Sequence, residues 1–262
     1  MSRGMKESDT MMIRDIKLMF MRNLQHTLKD PIFVFVSMLQ PLLYLFLFMP
    51  LLNGLGGVPG IPAGKAVEVF IPGLLVMQAI FGTAFVGFSL IDDIRSGVIE
   101  RFMVTPVKRS AILLGRILRD AVILVFQCIL ITLVAIPFGL TVNLVGFLLS
   151  LLLYAMIGIT MASISYGFAL IYKIEDPLAP TLNMITLPVS LLSGIILPLV
   201  LAPIWLQDLA KINPFYYAVN AVRLLFVGNF QLISIIEGYV IIGALATIVF
   251  LWGLKSLEKI AS

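Results

Sequence analysis

Long apolar runs alternate with short polar segments along this chain. An apolar helix of about 20 residues crosses the hydrocarbon core of a bilayer. The runs are too long and too uniformly apolar to be the strands of a membrane barrel. We therefore predict an all-α membrane protein in which residues 31–262 form one domain of six transmembrane helices. The predicted spans are residues 33–52, 69–91, 110–138, 144–172, 179–200 and 233–254.

Residues 1–30 precede the first span, and within them residues 9–30 predict an amphipathic helix that lies in the membrane interface. Apolar side chains recur along one helical arc, while most basic and polar side chains fall opposite. Such a helix rests its apolar side in lipid or on protein and turns its basic side toward anionic headgroups. Asp9 or Thr10 is predicted to cap it, and Asp30-Pro31 to end it. An ordinary basic segment beside the membrane is the alternative.

A charged segment, residues 94–109, interrupts the apolar pattern between the second and third spans. Gly97 can end the preceding helix, and Pro106 is tolerated only where a helix stops or turns. A short helix is therefore predicted between Gly97 and Thr105. Two interpretations are open: a handle that a soluble partner pushes, or a basic loop that only sets the orientation in the membrane.

The connection between the fifth and sixth spans, residues 201–232, is too apolar for a plain loop. Two short helices that meet at Asn213-Pro214 fit it best. Irregular backbone at membrane depth survives only when it is packed on protein. We therefore expect both helices to dip into the outer leaflet or to lie on it, with Trp205 at the interface.

Polar side chains recur at helical spacing within two of the spans, together with Gly82 and Phe85 in the second. Polar groups inside a membrane usually face protein or a cavity rather than lipid. They line a path for a transported molecule, or they let helices approach and hydrogen-bond to each other. The candidate path residues are Gln78 and Ser89 on the second span and Asn183, Thr186, Ser190 and Ser193 on the fifth.

Composition excludes several classes of function. Apolar residues make up 60% of the 262 residues and charged residues only 12%. The single Cys128 and the single His26 leave no thiolate metal site, zinc site or Ser/His/Asp triad. The glycine-rich stretch before Lys65 is not a phosphate-binding loop, because Pro59 stands where the first Gly belongs and Ala66 replaces Ser or Thr. We expect no enzyme activity and no nucleic-acid partner.

The basic residues predict the orientation in the membrane. If the amino terminus is inside, only Lys65, Lys211 and Arg223 of the 18 Lys and Arg residues fall outside. Basic residues collect on the cytoplasmic side of membrane proteins. Both termini and the charged segment are therefore predicted to be cytoplasmic.

Two ordered blocks of sequence resemble the permease subunits of type-2 ABC exporters, in particular those similar to daunorubicin- and multidrug-resistance permeases. The first block runs from Asp92 to Asp120, and the second from Ser193-Gly194 through Asn213-Pro214 to Arg223. Ile71-Pro72-Gly73-Leu74 is also similar to the family. The matching residues of the first block are Asp92, Asp93, Gly97, Arg101, Pro106, Arg109, Gly115 and Arg116.

The resemblance implies half of a transporter in the cell membrane of a prokaryote. Two permease copies, expected to be identical, would face each other above a separate cytoplasmic ATPase dimer. That dimer would bind ATP and Mg, and no cofactor is expected in this chain. The charged segment would be the coupling helix that docks on the ATPase. The coupling residues so implied are Gly97, Glu100, Arg101, Phe102, Met103, Val104, Pro106 and Arg109.

The resemblance favours export of an amphipathic drug or lipid by ATP-driven alternating access. A polysaccharide or teichoic-acid permease is the nearest alternative, and a membrane scaffold without transport is an alternative of another class. A secondary transporter or channel would need ionisable residues near the bilayer midplane. The deepest acid in the predicted spans is Asp120, only about 15 Å along its helix from the charged segment.

Overall fold

The computed structural model describes residues 2–29, 31–52, 66–104, 107–195 and 199–260, apart from the side chains of residues 2–11, 31–34, 49, 51–52, 103, 109 and 258–260. The regular secondary structure of these residues is entirely helical, which confirms the predicted all-α class. The glycine-rich stretch before Lys65, residues 53–64, lies outside the described residues. The α-helices are α1 (Ser2–Leu28), α2 (Pro31–Leu52), α3 (Ala66–Ala84), α4 (Gly87–Arg95), α5 (Val98–Met103), α6 (Arg109–Ala135), α7 (Leu144–Tyr172), α8 (Leu178–Leu192), α9 (Ile204–Ala210), α10 (Pro214–Val227) and α11 (Leu232–Ile260).

Within the described residues, four helical stretches are long and apolar enough to cross a membrane, and they agree with the predicted second, third, fourth and sixth spans. The predicted first span corresponds to α2, whose apolar part with described side chains is Phe35–Phe48. The chain is therefore a membrane protein with several spans, and the count of six stays a prediction. The four stretches are Ala66–Arg95, Ser110–Phe138, Leu144–Tyr172 and Leu232–Leu257.

The predicted fifth span is shorter in the structure than in the prediction. α8 has 15 residues, which makes it about 22 Å long, less than the roughly 30 Å of the hydrocarbon core. A turn at Ser193-Gly194 ends the helix, and Gly194 has a φ of 73°. Glycine adopts this left-handed conformation without a Cβ clash. The prediction of one helix through to residue 200 was therefore wrong.

The predicted second span is divided into α3 and α4 by a turn at Phe85-Val86. Gly87 opens α4 at a point where α4 touches α7. Its amide donates to the hydroxyl of Ser165 at 2.9 Å. A Cβ at Gly87 would lie 2.6 Å from the carbonyl oxygen of Ser165. The helix is therefore interrupted where it comes close to α7. The local pattern of apolar residues does not predict this interruption.

α7 is the central helix of the fold. It is apolar on all sides, as expected of a helix that faces either other helices or lipid around its whole circumference. It contacts α3, α4, α6, α8, α10 and α11. Tyr154 and Met161 are fully buried in one core cluster, and Tyr166 is fully buried in a second cluster near the charged segment. The charged segment is therefore mounted on the packed part of the molecule.

α1 packs along α6, which places the predicted amphipathic helix on protein. A Cβ at Gly115 would lie 2.6 Å from the Cβ of Met19, so the glycine lets the two helices touch. The helix ends just before Asp30-Pro31, as predicted. It begins at Ser2, so the predicted cap at Asp9 or Thr10 was wrong, because the chain is already helical there.

The apolar connection before the last helix folds as two short helices, α9 and α10, as predicted. They meet at Asn213-Pro214. The side-chain oxygen of Asn213 accepts from the amide of Phe215 at 3.0 Å, and Pro214 occupies the first turn. This is a typical start of a helix. The depth of these helices in the membrane stays a prediction.

Candidate functional site

Gly97 separates α4 from the short helix α5 of the charged segment. Its φ of 70° is left-handed, which costs a residue with a Cβ roughly 1–2 kcal/mol. α5 then runs over Val98–Met103, which confirms the predicted short helix. Ile99 is buried against the core, whereas Glu100 and Arg101 are exposed. The segment thus has an inner apolar anchor and a charged outer face.

Replacing Gly97 with alanine is expected to lower the free energy of unfolding by about 1 kcal/mol, because no atom lies within 4 Å of the added Cβ and only the backbone is strained. Thermal unfolding in detergent measures the effect. Gly253→Ala, within α11, is the matched control, since its Cβ would meet only Ser163 of α7 and Leu113 of α6 at ordinary distances of 3.6 and 3.7 Å. An equal loss of stability in the two variants would contradict the prediction.

The predicted coupling residues divide into an exposed tip and an inward-facing side chain. Val104, which follows the last residue of α5, is 88% exposed. Phe102 is half-buried, and the guanidinium of Arg22 on α1 lies 4.6 Å from the centre of its ring. This cation–π contact joins α1 to α5. Pro106 and the side chains of Met103 and Arg109 lie outside the described residues.

Two ion pairs bracket the charged segment. On one side, Arg95 at the end of α4 pairs with Glu175 in the turn after α7 at 2.5 Å. On the other side, Arg116 of α6 pairs with Asp93 of α4. The Arg116 side chain is only 4% exposed, whereas both members of the first pair are well exposed. The two pairs therefore connect α4, which adjoins α5 at Gly97, to α6 and to the α7–α8 turn.

A buried polar cluster lies on α6 one turn beyond Arg116. The Nε of Arg119 lies 2.9 Å from a carboxylate oxygen of Asp120. Arg119 also donates to the hydroxyls of Thr27 at 2.9 Å and of Tyr166 at 3.3 Å. The Tyr166 hydroxyl donates to Asp120 at 2.5 Å. The cluster is internally neutral and ties α1, α6 and α7 together.

A cavity of about 490 Å³ adjoins this cluster, between α2, α3, α4 and α6. A chain of hydrogen bonds crosses its wall: Gln78 donates to Gln127 at 2.9 Å, and Gln127 donates to Ser37 at 2.6 Å. Its size and mixed lining are typical of a small-molecule site. Its lining includes the polar Gln40, Gln78, Ser89 and Gln127, the rings of Phe81 and Phe85, and the charged Asp92, Arg119 and Asp120.

The structure brings only part of the predicted path together. Gln78 and Ser89 line the cavity, and so do Gly82 and Phe85. None of the four predicted residues of the fifth span, three on α8 and Ser193 in the turn that ends it, is among the described residues that line the cavity. Asn183 is half-buried, and the hydroxyls of the other three donate to backbone carbonyls of α8 itself. Those bonds are Thr186 to Leu182, Ser190 to Leu187 and Ser193 to Ser190.

Comparison with known protein families shows which family the chain belongs to. Residues 14–227 match the model of the membrane domain described as ABC-2 type transporter. The chain belongs to the ABC-2 type transporter family. The match covers α2 to α10 and most of α1, so it includes the charged segment, the buried cluster and the cavity.

Curated relatives of this ABC-2 chain include a putative transport permease ycf38 of Cyanophora paradoxa, 30% identical over 76% of this chain and 69% of the relative. The daunorubicin resistance ABC transporter permease protein DrrB1 of Streptomyces coeruleorubidus is 24% identical over 76% and 70%. A probable doxorubicin resistance ABC transporter permease protein DrrC of Mycobacterium tuberculosis is 25% identical over 84% and 79%. The predicted resemblance to ABC-2 drug-resistance permeases is confirmed.

The two sequence blocks that resemble the family, residues 92–120 and 193–223, each contain a group of contacts between helices in this ABC-2 protein. The first block holds the Asp93–Arg116 pair and the helix contact at Gly115. In the second, Arg223 donates to the carbonyls of Gly194 at 2.7 Å and Ile195 at 3.2 Å. It also donates to Val69 at 3.3 Å, and a Cβ at Gly73 would overlap the carbonyl of Ile195. Arg223 therefore fastens the turn after α8 to the start of α3.

Sequence reasoning missed several polar residues of this ABC-2 protein. Gln127 and Tyr166 lie in apolar runs. A polar residue such as Gln127 within an apolar span could have been predicted to line the cavity. Glu68 is buried at the start of α3, where the Thr141 hydroxyl donates to it. Thr27 lies on the predicted interfacial helix, and nothing in its spacing indicates that it reaches Arg119. These partners are 46 to 92 residues apart in the chain.

Proposed function

We propose that this chain is the membrane-spanning subunit of an ATP-driven exporter and that α5 is its coupling helix. The observation that carries the proposal is the mounting of the charged segment. Its tip exposes Glu100, Arg101 and Val104, while ion pairs tie its flanks to the transmembrane helices. An exposed apolar residue beside charged residues suits a protein docking site.

The proposed mechanism uses the charged segment as a lever. A separate ATPase dimer binds ATP and Mg, and its closure moves α5. Asp93 and Arg116 transmit the movement to α6, and Arg95 and Glu175 transmit it to the α7–α8 turn. Rearrangement of these helices alternates the access of the substrate to the two sides of the membrane.

The remaining parts of the proposal rest on the family and on the charge pattern. Two copies of the chain form the transporter, and both termini and the charged segment are cytoplasmic. The substrate is an amphipathic drug or lipid that moves outward. The names of two relatives, which refer to daunorubicin and doxorubicin resistance, support this substrate class. A prokaryotic cell membrane is the expected location.

Replacing Arg101 with alanine is expected to reduce the stimulation of ATP hydrolysis by substrate at least about tenfold. The chain should still fold, because Arg101 is exposed and its loss removes a docking residue without removing a core contact. The measurement is substrate-stimulated ATP hydrolysis by the chain reconstituted in lipid with the ABC ATPase that co-purifies with it. Glu100→Ala and Val104→Asp test the same face. Lys255→Ala, at an exposed position near the end of α11, is the control. Unchanged stimulation in all three α5 variants would rule out the coupling role.

A further inference from the structure

We propose that the cavity between α2, α3, α4 and α6 binds the transported compound, and that it selects amphipathic molecules with a single positive charge. The inference rests on the proposed exporter function and assigns it a binding site and a substrate class. It follows from the size of the cavity, the distribution of polar groups along it and the charge that remains after the internal pairs are counted.

The cavity is large enough for a small organic molecule and open enough to admit one. Its volume of about 490 Å³ lies within the range of roughly 300–1,000 Å³ that small-molecule sites occupy. Gln40, Gly82 and Asp92 line it and are exposed, so they mark its mouth. Gly82 lacks a side chain where one would fill the space: an added Cβ would lie 3.0 Å from the Gln78 amide nitrogen.

The charged groups of the lining are the ones nearest the charged segment. Asp92 lies two residues before that segment, Arg119 lies about 15 Å along α6 from it, and the uncharged Gln127 lies about 12 Å further along α6 than Arg119. The rings of Phe81 and Phe85 line the space as well. A molecule with a polar group at one end and an apolar body matches this arrangement. It would place its charged end at the membrane surface, as a lipid of the same leaflet does.

The sign of the preferred charge follows from the ionisable groups of the wall. Arg119 and Asp120 pair with each other at 2.9 Å and share Tyr166, so together they contribute no net charge. The neighbouring Asp93 is paired with Arg116. The carboxylate of Asp92 has no ion pair or hydrogen bond within the part of the chain that the structure describes. The wall therefore carries one uncompensated negative charge at its mouth.

An anionic headgroup would find no cation in the described wall that lacks a carboxylate partner. The only cation among the described lining residues is Arg119, which is ion-paired with Asp120 and donates hydrogen bonds to Thr27 and Tyr166, although its Nε makes no hydrogen bond. Binding an anion would require breaking that buried cluster, whereas binding a cation leaves it intact. Buried charges whose partners are removed are costly. The structure therefore favours cations over anions of the same apolar body.

The test is equilibrium binding of radiolabelled tetraphenylphosphonium to the full chain in lipid nanodiscs, without ATPase or nucleotide and after subtraction of binding to empty nanodiscs. We expect saturable binding that decylammonium displaces and decanoate does not. Asp92→Asn is expected to weaken binding about fivefold, the effect of losing one partly exposed charge interaction. Asp176→Asn, which removes an exposed carboxylate in the α7–α8 turn, is the matched control and should bind as the original chain does.

A second pair of variants tests the place of binding rather than its charge. Gly82→Leu fills the cavity and should abolish saturable binding, while Gly253→Ala, at a glycine of α11 that is not among the lining residues, should change it little. Size-exclusion profiles show whether each variant is folded. If Gly82→Leu does not fold, the test is decided by Asp92→Asn, which changes an exposed residue at the rim of the cavity. Undiminished binding in Asp92→Asn and in a folded Gly82→Leu, or equal displacement by decanoate, would overturn the proposal.

The outcome can be separated from that of the exporter proposal. Binding is measured on the permease chain alone, so it does not depend on coupling to an ATPase. Loss of binding in the cavity variants together with a failure of the α5 variants to affect ATP hydrolysis would keep the binding site and reject the coupled exporter. Normal coupling together with unchanged binding in the cavity variants would keep the exporter and reject this site.

Discussion

Asp93→Ala is expected to lower the free energy of unfolding by about 3 kcal/mol and to uncouple transport from ATP hydrolysis. The Arg116 side chain is only 4% exposed and pairs with the Asp93 carboxylate. Removal of one partner from a buried pair leaves an uncompensated charge, which typically costs roughly 3–5 kcal/mol. We take the lower end because Asp93 is itself 32% exposed. Thermal unfolding in detergent should show a midpoint lower by roughly 5–10 °C.

The second ion pair of the charged segment provides the control. Glu175→Ala breaks a pair whose side chains are 55% and 39% exposed, and such pairs contribute about 0–1 kcal/mol. The double variant Asp93→Ala with Arg116→Leu removes both charges and should recover most of the stability, but not the coupling, because the link between α4 and α6 is still missing. A melting temperature for Asp93→Ala equal to that of Glu175→Ala would show that the Asp93–Arg116 pair contributes little.

Arg223→Leu is expected to destabilise the other end of the molecule by about 3 kcal/mol. Its guanidinium binds the carbonyls of Gly194 and Ile195, which lie in the turn where α8 ends. Carbonyls at a helix end have no partner within the helix. Each buried carbonyl left without a donor costs about 1–3 kcal/mol. Thermal unfolding measures the loss, and limited proteolysis should cut first after α8.

Two variants control for charge and for length. Arg223→Lys keeps the charge but cannot reach several carbonyls with a planar fork, so it should restore only part of the stability. Lys211→Leu removes a basic residue from the same side of the fold, where the ammonium pairs with Asp208 and both side chains are about 60% exposed. It should be nearly neutral. Equal effects of Arg223→Leu and Lys211→Leu would contradict the proposed role of Arg223.

The candidate site could be predicted only in part. Gly97 and the charges around it indicated the short helix, because a glycine and a break in apolar character are local signals. Gln78 and Ser89 were found because polar residues are rare in apolar spans. The α8 residues gave the same signal, but their hydroxyls bond to their own helix. Spacing shows which residues share a helical face, and it does not show what that face meets.

The sequence by itself determined the membrane-protein class, the four long spans, the end of α1 before Asp30-Pro31, the helix start at Asn213-Pro214 and the family. These features depend on the length of apolar runs and on the backbone preferences of Gly, Pro and Asn, which act within a few residues. Tertiary structure decided the break at Phe85-Val86, the early end of α8, the pairing of Asp93 with Arg116, and the cavity. Each of these depends on which helix faces pack together, and residues far apart in the chain supply the partners.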